Sequence, residues 1–281
     1  MHPKTVLITG CSSGIGRATA LDFLDEEWEV YATARNPADI ETLGERGATI
    51  ATLDVTDDED VARVVDRIID EHGRIDCLVN NAGYGQMGPI EDVPTERVER
   101  QFDVNVFGPH RLTRAVLPHM RAQGDGTIVN VSSVVGRVSF PGTGVYAGSK
   151  FALEAMTDAL RAEVREYGIE AVLIEPGPVE TQFASRVHAE VDGGEDDDSG
   201  LDRSGAYETL YKLFEDRQAL GSSGPGAIPA ERVAADIVNA ASSTKPRARY
   251  QPGTVARFGV LARFVPDEWR DTLFEFARKL P

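Results

Sequence analysis

Short runs of apolar, β-branched residues alternate with longer helical patterns along the first two-thirds of this chain, and a glycine-rich turn joins the first pair. Thr5-Val6-Leu7-Ile8-Thr9 reads as a buried strand, and Gly10-Cys11-Ser12-Ser13-Gly14-Ile15-Gly16 leads from it into a helix that runs to about Glu26. Further strands are expected at Trp28–Thr33, Ala48–Leu53, Ile75–Val79, Thr127–Val131 and Glu170–Ile174. Helices are expected from about Pro37, over Asp57–His72, over Thr95–Gln123 with an interruption near Gly108-Pro109, and, after a loop to about Gly144, over the segment that carries Tyr146 and Lys150 to about Tyr167. Alternation of this kind argues for parallel βαβ units, and so for an α/β fold with a doubly wound sheet and helices on both faces.

With 281 residues, 41% of them hydrophobic, the chain is long enough to bury one sizeable core, and a single domain over 1–281 is expected. Regularity fails after Glu175. The stretch from Pro178 to Pro229 follows the carboxyl end of a strand, where a long insertion is a candidate active-site lid. Within it, residues 192–200 are too polar to pack and read as disordered, while Tyr207–Leu220 is amphipathic. A helix near Pro229–Ser242, a short strand at Arg249-Tyr250 and a helical tail over Asp267–Leu280 complete the pattern.

Charge narrows the partners. The net charge is −17, with 24 Arg against only 5 Lys. Such a surface repels nucleic acid and anionic membranes, so neither is expected as a partner. It reads either as ordinary acidic solubility or, preferably, as adaptation to molar salt, where a Debye length of about 3 Å screens self-repulsion. No apolar run reaches the roughly 18 residues of a membrane span. Met1-His2-Pro3-Lys4 lacks a signal-peptide layout, and a cytoplasmic location is expected. Cys11 and Cys77 fit a reducing compartment and give no metal-ligand spacing, so no metal is expected.

Tyr146 and Lys150 stand four apart on an expected helix and therefore share a face. A free phenol, with a pKa of about 10, is too weak a base to take a proton from an alcohol near neutral pH. A fixed cation nearby favours the phenolate; reaching neutrality takes about 3 units, or about 4 kcal/mol. Ser133 supplies a second donor to a substrate oxygen. On the same helix Ala152, Met156, Ala159, Leu160 and Val164 form the expected packing face, as core or subunit interface. The glycine turn, with Gly10, Ser12, Ser13, Gly14, Ile15 and Gly16, suits a pyrophosphate at a helix N-terminus. After the second strand, Thr33-Ala34-Arg35-Asn36 has no acid to accept from a ribose 2′-OH, and Arg35 can bind a 2′-phosphate. NADP(H) is therefore expected over NAD.

The TGxxxGIG spacing, with Asn80-Asn81-Ala82-Gly83, Asn105, Ser133, Tyr146-xxx-Lys150 and Pro176-Gly177-Pro178-Val179-Glu180-Thr181, resembles the short-chain dehydrogenase/reductase superfamily. TGCSSGIG and Val30-Tyr31-Ala32-Thr33-Ala34-Arg35 are most similar to its 17β-hydroxysteroid and retinol dehydrogenase branch. The resemblance implies a Rossmann-type domain with a seven-stranded parallel sheet, a nicotinamide cofactor and a homodimer or homotetramer. It implies Tyr146 as general acid/base, Lys150 lowering its pKa and binding the nicotinamide ribose, and Ser133 orienting the substrate oxygen. Asn105 would support a water linking Lys150 to solvent. Asn81, Ala82 and Gly83 would lie on the adenosine side, Asp54 and Val55 beside the adenine, and Pro176, Gly177, Val179 and Thr181 at the nicotinamide end. Gly85, Met87, Phe140, Gly142 and the loop after Thr181 would line the substrate site, which suits a hydrophobic secondary alcohol or ketone. Gly148 departs from the pattern, where many relatives have Ala. The same fold also serves NADP(H)-sensing proteins and epimerases or dehydratases, which stand as the alternatives.

Overall fold

A computed structural model of the chain describes residues 3–183, 201, 203–211 and 226–278. Its strands are β1 (Thr5–Ile8), β2 (Glu29–Ala34), β3 (Thr49–Thr52), β4 (Cys77–Asn80), β5 (Gly126–Val131), β6 (Ile169–Ile174), β7 (Val179–Glu180), β8 (Ile228–Pro229) and β9 (Arg249–Tyr250). Seven of them form one sheet in the order β3-β2-β1-β4-β5-β6-β9, with every neighbouring pair parallel. The chain order reverses between β1 and β4, and the carboxyl ends of these two strands open a crevice there.

The helices are α1 (Gly14–Asp25), α2 (Glu41–Glu45), α3 (Asp58–His72), α4 (Thr95–Phe102), α5 (Gly108–Gln123), α6 (Gly144–Val164), α7 (Ala230–Ser242), α8 (Thr254–Gly259) and α9 (Asp267–Arg278). Alternate residues of each strand face opposite sides, so the sheet carries two cores. Val6 and Ile8 pack with Phe23 of α1 and with Val233 and Ile237 of α7. Leu7 between them packs with Val64 and Ile68 of α3 and with Leu112 and Val116 of α5. Strands buried on both faces read as continuous apolar runs, and each such Val, Leu or Ile contributes about 1.5–3 kcal/mol by its burial.

Local chemistry fixes the ends of these elements. The Asp57 carboxylate accepts from the Glu59 and Asp60 N–H groups to start α3, and Gly73 closes it at φ 70°. The interruption expected near Gly108-Pro109 is a turn of π-helix over Asp103–Phe107 between α4 and α5. Pro109 has no N–H for the Asn105 carbonyl, and the ladder widens at that point. Beyond β6, the ends of the expected lid are tied together by the pairing of Val179 with Ile228 and of Glu180 with Pro229. Residues 192–200 lie outside the described residues, as does the Tyr207–Leu220 stretch after Tyr211. Among the described residues, no helix is long and apolar enough to cross a membrane, and no group of three or more His, Cys, Asp or Glu is set to hold a metal.

The face of α6 expected as core or subunit interface is divided: Val164 is buried and Leu160 packs against the core. Met156 and Ala159 are exposed, and Ala152 and Leu160 are only partly buried. The buried stripe runs through Tyr146, Ser149, Lys150, Leu153, Glu154, Thr157 and Val164. Gly148 lies inside this helix, and a Cβ there would meet only the Phe102 ring, at 3.8 Å. Gly148→Ala should therefore stabilise the fold by about 0.5–1 kcal/mol, read as a raised melting temperature; a lowered one would show that the glycine answers a need for space.

Candidate active site

The buried stripe of α6 faces the loop that leaves β5. That loop is pinned by two backbone bonds to the strand beside it, Ser132 N–H to Ile174 O at 2.7 Å and Val134 N–H to Pro176 O at 2.9 Å. Ser133 accepts from the Val135 N–H at 3.3 Å, which turns the chain toward Tyr146. Lys150 donates to the Val131 carbonyl at 2.8 Å, and its ammonium lies 5.9 Å from the centre of the Tyr146 ring. Ser133, Tyr146 and Lys150 thus converge at the carboxyl end of β5.

Burial governs the charges. It pushes the Tyr146 phenol up to about 12, with the Ser133 hydroxyl pulling the other way. It pulls the Lys150 ammonium down to about 8, opposed by the negative charge of Glu154. In the protein alone burial is the larger of the two influences on the phenol, and the ammonium of Lys150 is turned to a carbonyl. The phenol is held protonated at neutral pH.

Beneath Lys150 lies a buried ionic network that the sequence pattern does not reveal. Glu154 is one turn further along α6, and Glu175 follows β6. Arg249 donates to Glu154 at 3.2 Å and to Glu175 at 2.9 Å, and Arg137 lies 3.5 and 3.6 Å from the same two carboxylates. Burial, then the negative charge of Glu175, raises the pKa of Glu154, while the arginines lower it.

Asn105 is buried in the π turn. It donates to Tyr84 O at 2.9 Å and to Ser149 Oγ at 3.2 Å, and accepts from the Tyr84 N–H at 3.2 Å. A Cβ on Gly83 would come within 3.0 Å of Asn105 Oδ1 and 3.8 Å of Lys150 Nζ, so these three residues share one compartment.

The glycine turn sits in the crevice between β1 and β4. Asn81 donates its amide to Thr9 O at 2.9 Å and to Gly10 O at 3.1 Å, and the Asn81 and Ala82 N–H groups both donate to Thr9 Oγ1 at 3.0 Å. Asn81 thereby braces the turn, a role beyond the expected adenosine contact. A Cβ at Gly16 would lie 2.3 Å from Gly10 O, so only glycine lets α1 start this close to the turn. The first turn of α1 carries neither a capping side chain nor an acidic residue. Its N–H groups and positive dipole end suit an anion, so these residues fit a dinucleotide pyrophosphate.

Around this turn lie the other expected contacts. The Cys11 N–H bonds Thr33 O at 2.9 Å, which binds the turn to the end of β2, where Arg35 is exposed. Among the described residues Arg35 has no carboxylate within 4.0 Å, while Arg17 hydrogen-bonds Thr42. Asp54 closes a local turn by accepting from Thr56 N at 2.9 Å, and Val55 packs under Gly108. Thr181 stands against Gly14, and Gly177 packs on Val255 and Ala256. Pro176 and Val179 complete that segment through the Val134 bond and the β7–β8 pair.

On the far side of Tyr146, the Gly88 N–H donates to Gly142 O at 2.8 Å, joining the two loops expected at the substrate site. Met87 packs with Val93, Val145, Leu201 and Tyr211, and Phe140 is exposed. Gly85 is buried beside them. The Phe183 ring lies 5.6 Å from that of Tyr146. Sequence reasoning pointed to this loop but had no periodicity with which to single out Phe183.

A family model described as short chain dehydrogenase matches residues 4–192. Uncharacterized oxidoreductase YbbO of Escherichia coli (strain K12) is 46% identical over 188 residues, 66% of this chain and 69% of that protein. Retinol dehydrogenase 8 of Homo sapiens is 40% identical over 259 residues, 89% of this chain and 81% of its own. A solved short chain dehydrogenase/reductase from Burkholderia phymatum in complex with NAD is 25% identical, with a TM-score of 0.81 over 95% of both chains. The doubly wound sheet, the glycine turn and these likenesses agree, and the chain belongs to the short-chain dehydrogenase/reductase family.

Proposed function

We propose that this chain is an NADP(H)-dependent oxidoreductase that interconverts a ketone or aldehyde and the corresponding alcohol on an apolar small molecule, with Tyr146 as the general acid/base. The observation that carries the reading is the convergence of Tyr146, Ser133 and Lys150 beside a glycine turn suited to a dinucleotide. NADPH, when bound, supplies the hydride. Tyr146 donates the proton to the carbonyl oxygen, and its buried phenol is in the protonated state that a donor needs. Ser133 gives the same oxygen a second hydrogen bond, holding it as negative charge develops. Lys150 holds a positive charge beside the phenol and binds the ribose, while Asn105 fixes the backbone of the Tyr84 loop against α6. Phe183 and Met87 exclude water on the substrate side. Alcohol oxidation runs these steps backwards and needs the phenolate, so its share rises with pH.

The related Burkholderia structure holds NAD, so a nicotinamide cofactor is common ground and the choice of NADP rests on Arg35. Exposed Phe151 and Met156 on α6 and Phe107 beside α5 support a homo-oligomer. The acidic, lysine-poor surface supports adaptation to concentrated salt.

Three measurements test this reading. Purified protein mixed with NADPH and a panel of apolar ketones should consume NADPH steadily, whereas binding without turnover would mean a sensor. Arg35→Asp should raise KM for NADPH about tenfold or more and leave KM for NADH little changed, from the loss of one charge-assisted contact; equal effects on both would remove the NADP assignment. The melting temperature should rise between about 0.1 M and about 3 M KCl, and a flat response would refute the salt adaptation.

A further inference from the structure

We propose that an arginine-lined cavity at the open edge of the sheet is a second anion site, built for a phosphate group on a soluble small molecule. The cavity has a volume of about 150 Å³ and is lined by Arg232, Asp236, Arg247, Arg249, Gln251 and Arg257. It lies where β9 meets α7 and α8. Because β9 is four strands from β1, the cavity is separate from the glycine turn.

The charges here run against those of the molecule as a whole. In a chain of net charge −17, four guanidinium groups and one carboxylate share this concavity. Two of the four are matched. Arg249 donates to both Asp158 oxygens at 2.7 Å and to Glu175 at 2.9 Å, and Arg232 lies 3.4 Å from Asp236. The other two are not. Arg247 lies over the Tyr250 ring at 4.3 Å, and Arg257 is exposed on α8. Among the described residues neither has a carboxylate within 4.0 Å, and the sequence from 237 to 266 contains no Asp or Glu.

Unmatched guanidinium groups around one small cavity repel each other, and an oxyanion between them converts that repulsion into charge-assisted, forked hydrogen bonds. The Gln251 amide, which also lines the cavity, donates to Glu175 at 2.7 Å and is held there. A volume this small admits a phosphate group but not a dinucleotide. The negative surface elsewhere repels an anionic lipid bilayer, so a soluble phosphate is the source that fits.

Titration of the full-length protein with inorganic phosphate at constant ionic strength, followed by calorimetry, tests this. Wild-type protein should bind phosphate saturably. Arg247→Gln with Arg257→Gln should weaken binding by about tenfold per guanidinium removed. The reversal Arg257→Glu, at an exposed position that does not endanger folding, should abolish it. No saturable binding by the wild type, or undiminished binding by Arg257→Glu, would overturn the proposal.

Discussion

A lysine ammonium taken out of water and placed beside a tyrosine is the constraint around which this structure is arranged. Isolated, a buried ammonium costs several kcal/mol, and the protein would neutralise it by losing the proton. Lys150 shows the strain of that position in a pKa drawn down to about 8. One carbonyl, Val131 O, supplies a hydrogen bond, and Glu154 one turn away supplies opposite charge. Glu154 is buried in its turn, and so is Glu175. Arg137 and Arg249 lie between them, and Arg249 also holds Asp158. Compensation for one cation therefore extends from the carboxyl end of β5 to the edge strand β9.

This chain of compensation explains which parts of the molecule were legible in the sequence. Parallel strands buried on both faces appear as unbroken apolar runs, so β1 to β6 could be read directly. The start of α3 at Asp57 and the break before Pro109 follow from residue chemistry at a single position. The face of α6 could not be read that way. A hydrophobic pattern assumes that what is buried is apolar, whereas α6 buries Tyr146, Ser149, Lys150, Glu154 and Thr157 and exposes Met156. The helix turns its chemistry inward and leaves Met156 and Ala159 of its apolar pattern at the surface.

The phenol illustrates the same limit. Sequence spacing identifies the partner of Tyr146 but not the amount of water around it, and in the protein alone burial raises the phenol. Asn81 is a second case. The motif marks it as part of a cofactor site, while its hydrogen bonds show it holding Thr9 and Gly10 so that the turn can take an anion. Residues from strands far apart in sequence thus set one shape: Thr9 at the end of β1, Asn81 after β4 and Thr181 after β7.

Proton donation by Tyr146 is the step on which the proposed chemistry depends. It is tested most directly by kcat/KM for NADPH-dependent ketone reduction against pH, in the wild type and in Tyr146→Phe, alongside NADPH binding followed by fluorescence. A buried phenol that stays protonated predicts wild-type reduction that is flat from about pH 6 to about pH 7 and declines as pH rises past about 8, where Lys150 loses its charge. Tyr146→Phe should lose about 10²–10⁴-fold at every pH while NADPH still binds. A phenylalanine variant that reduces ketones within about twofold of the wild type would contradict the assignment.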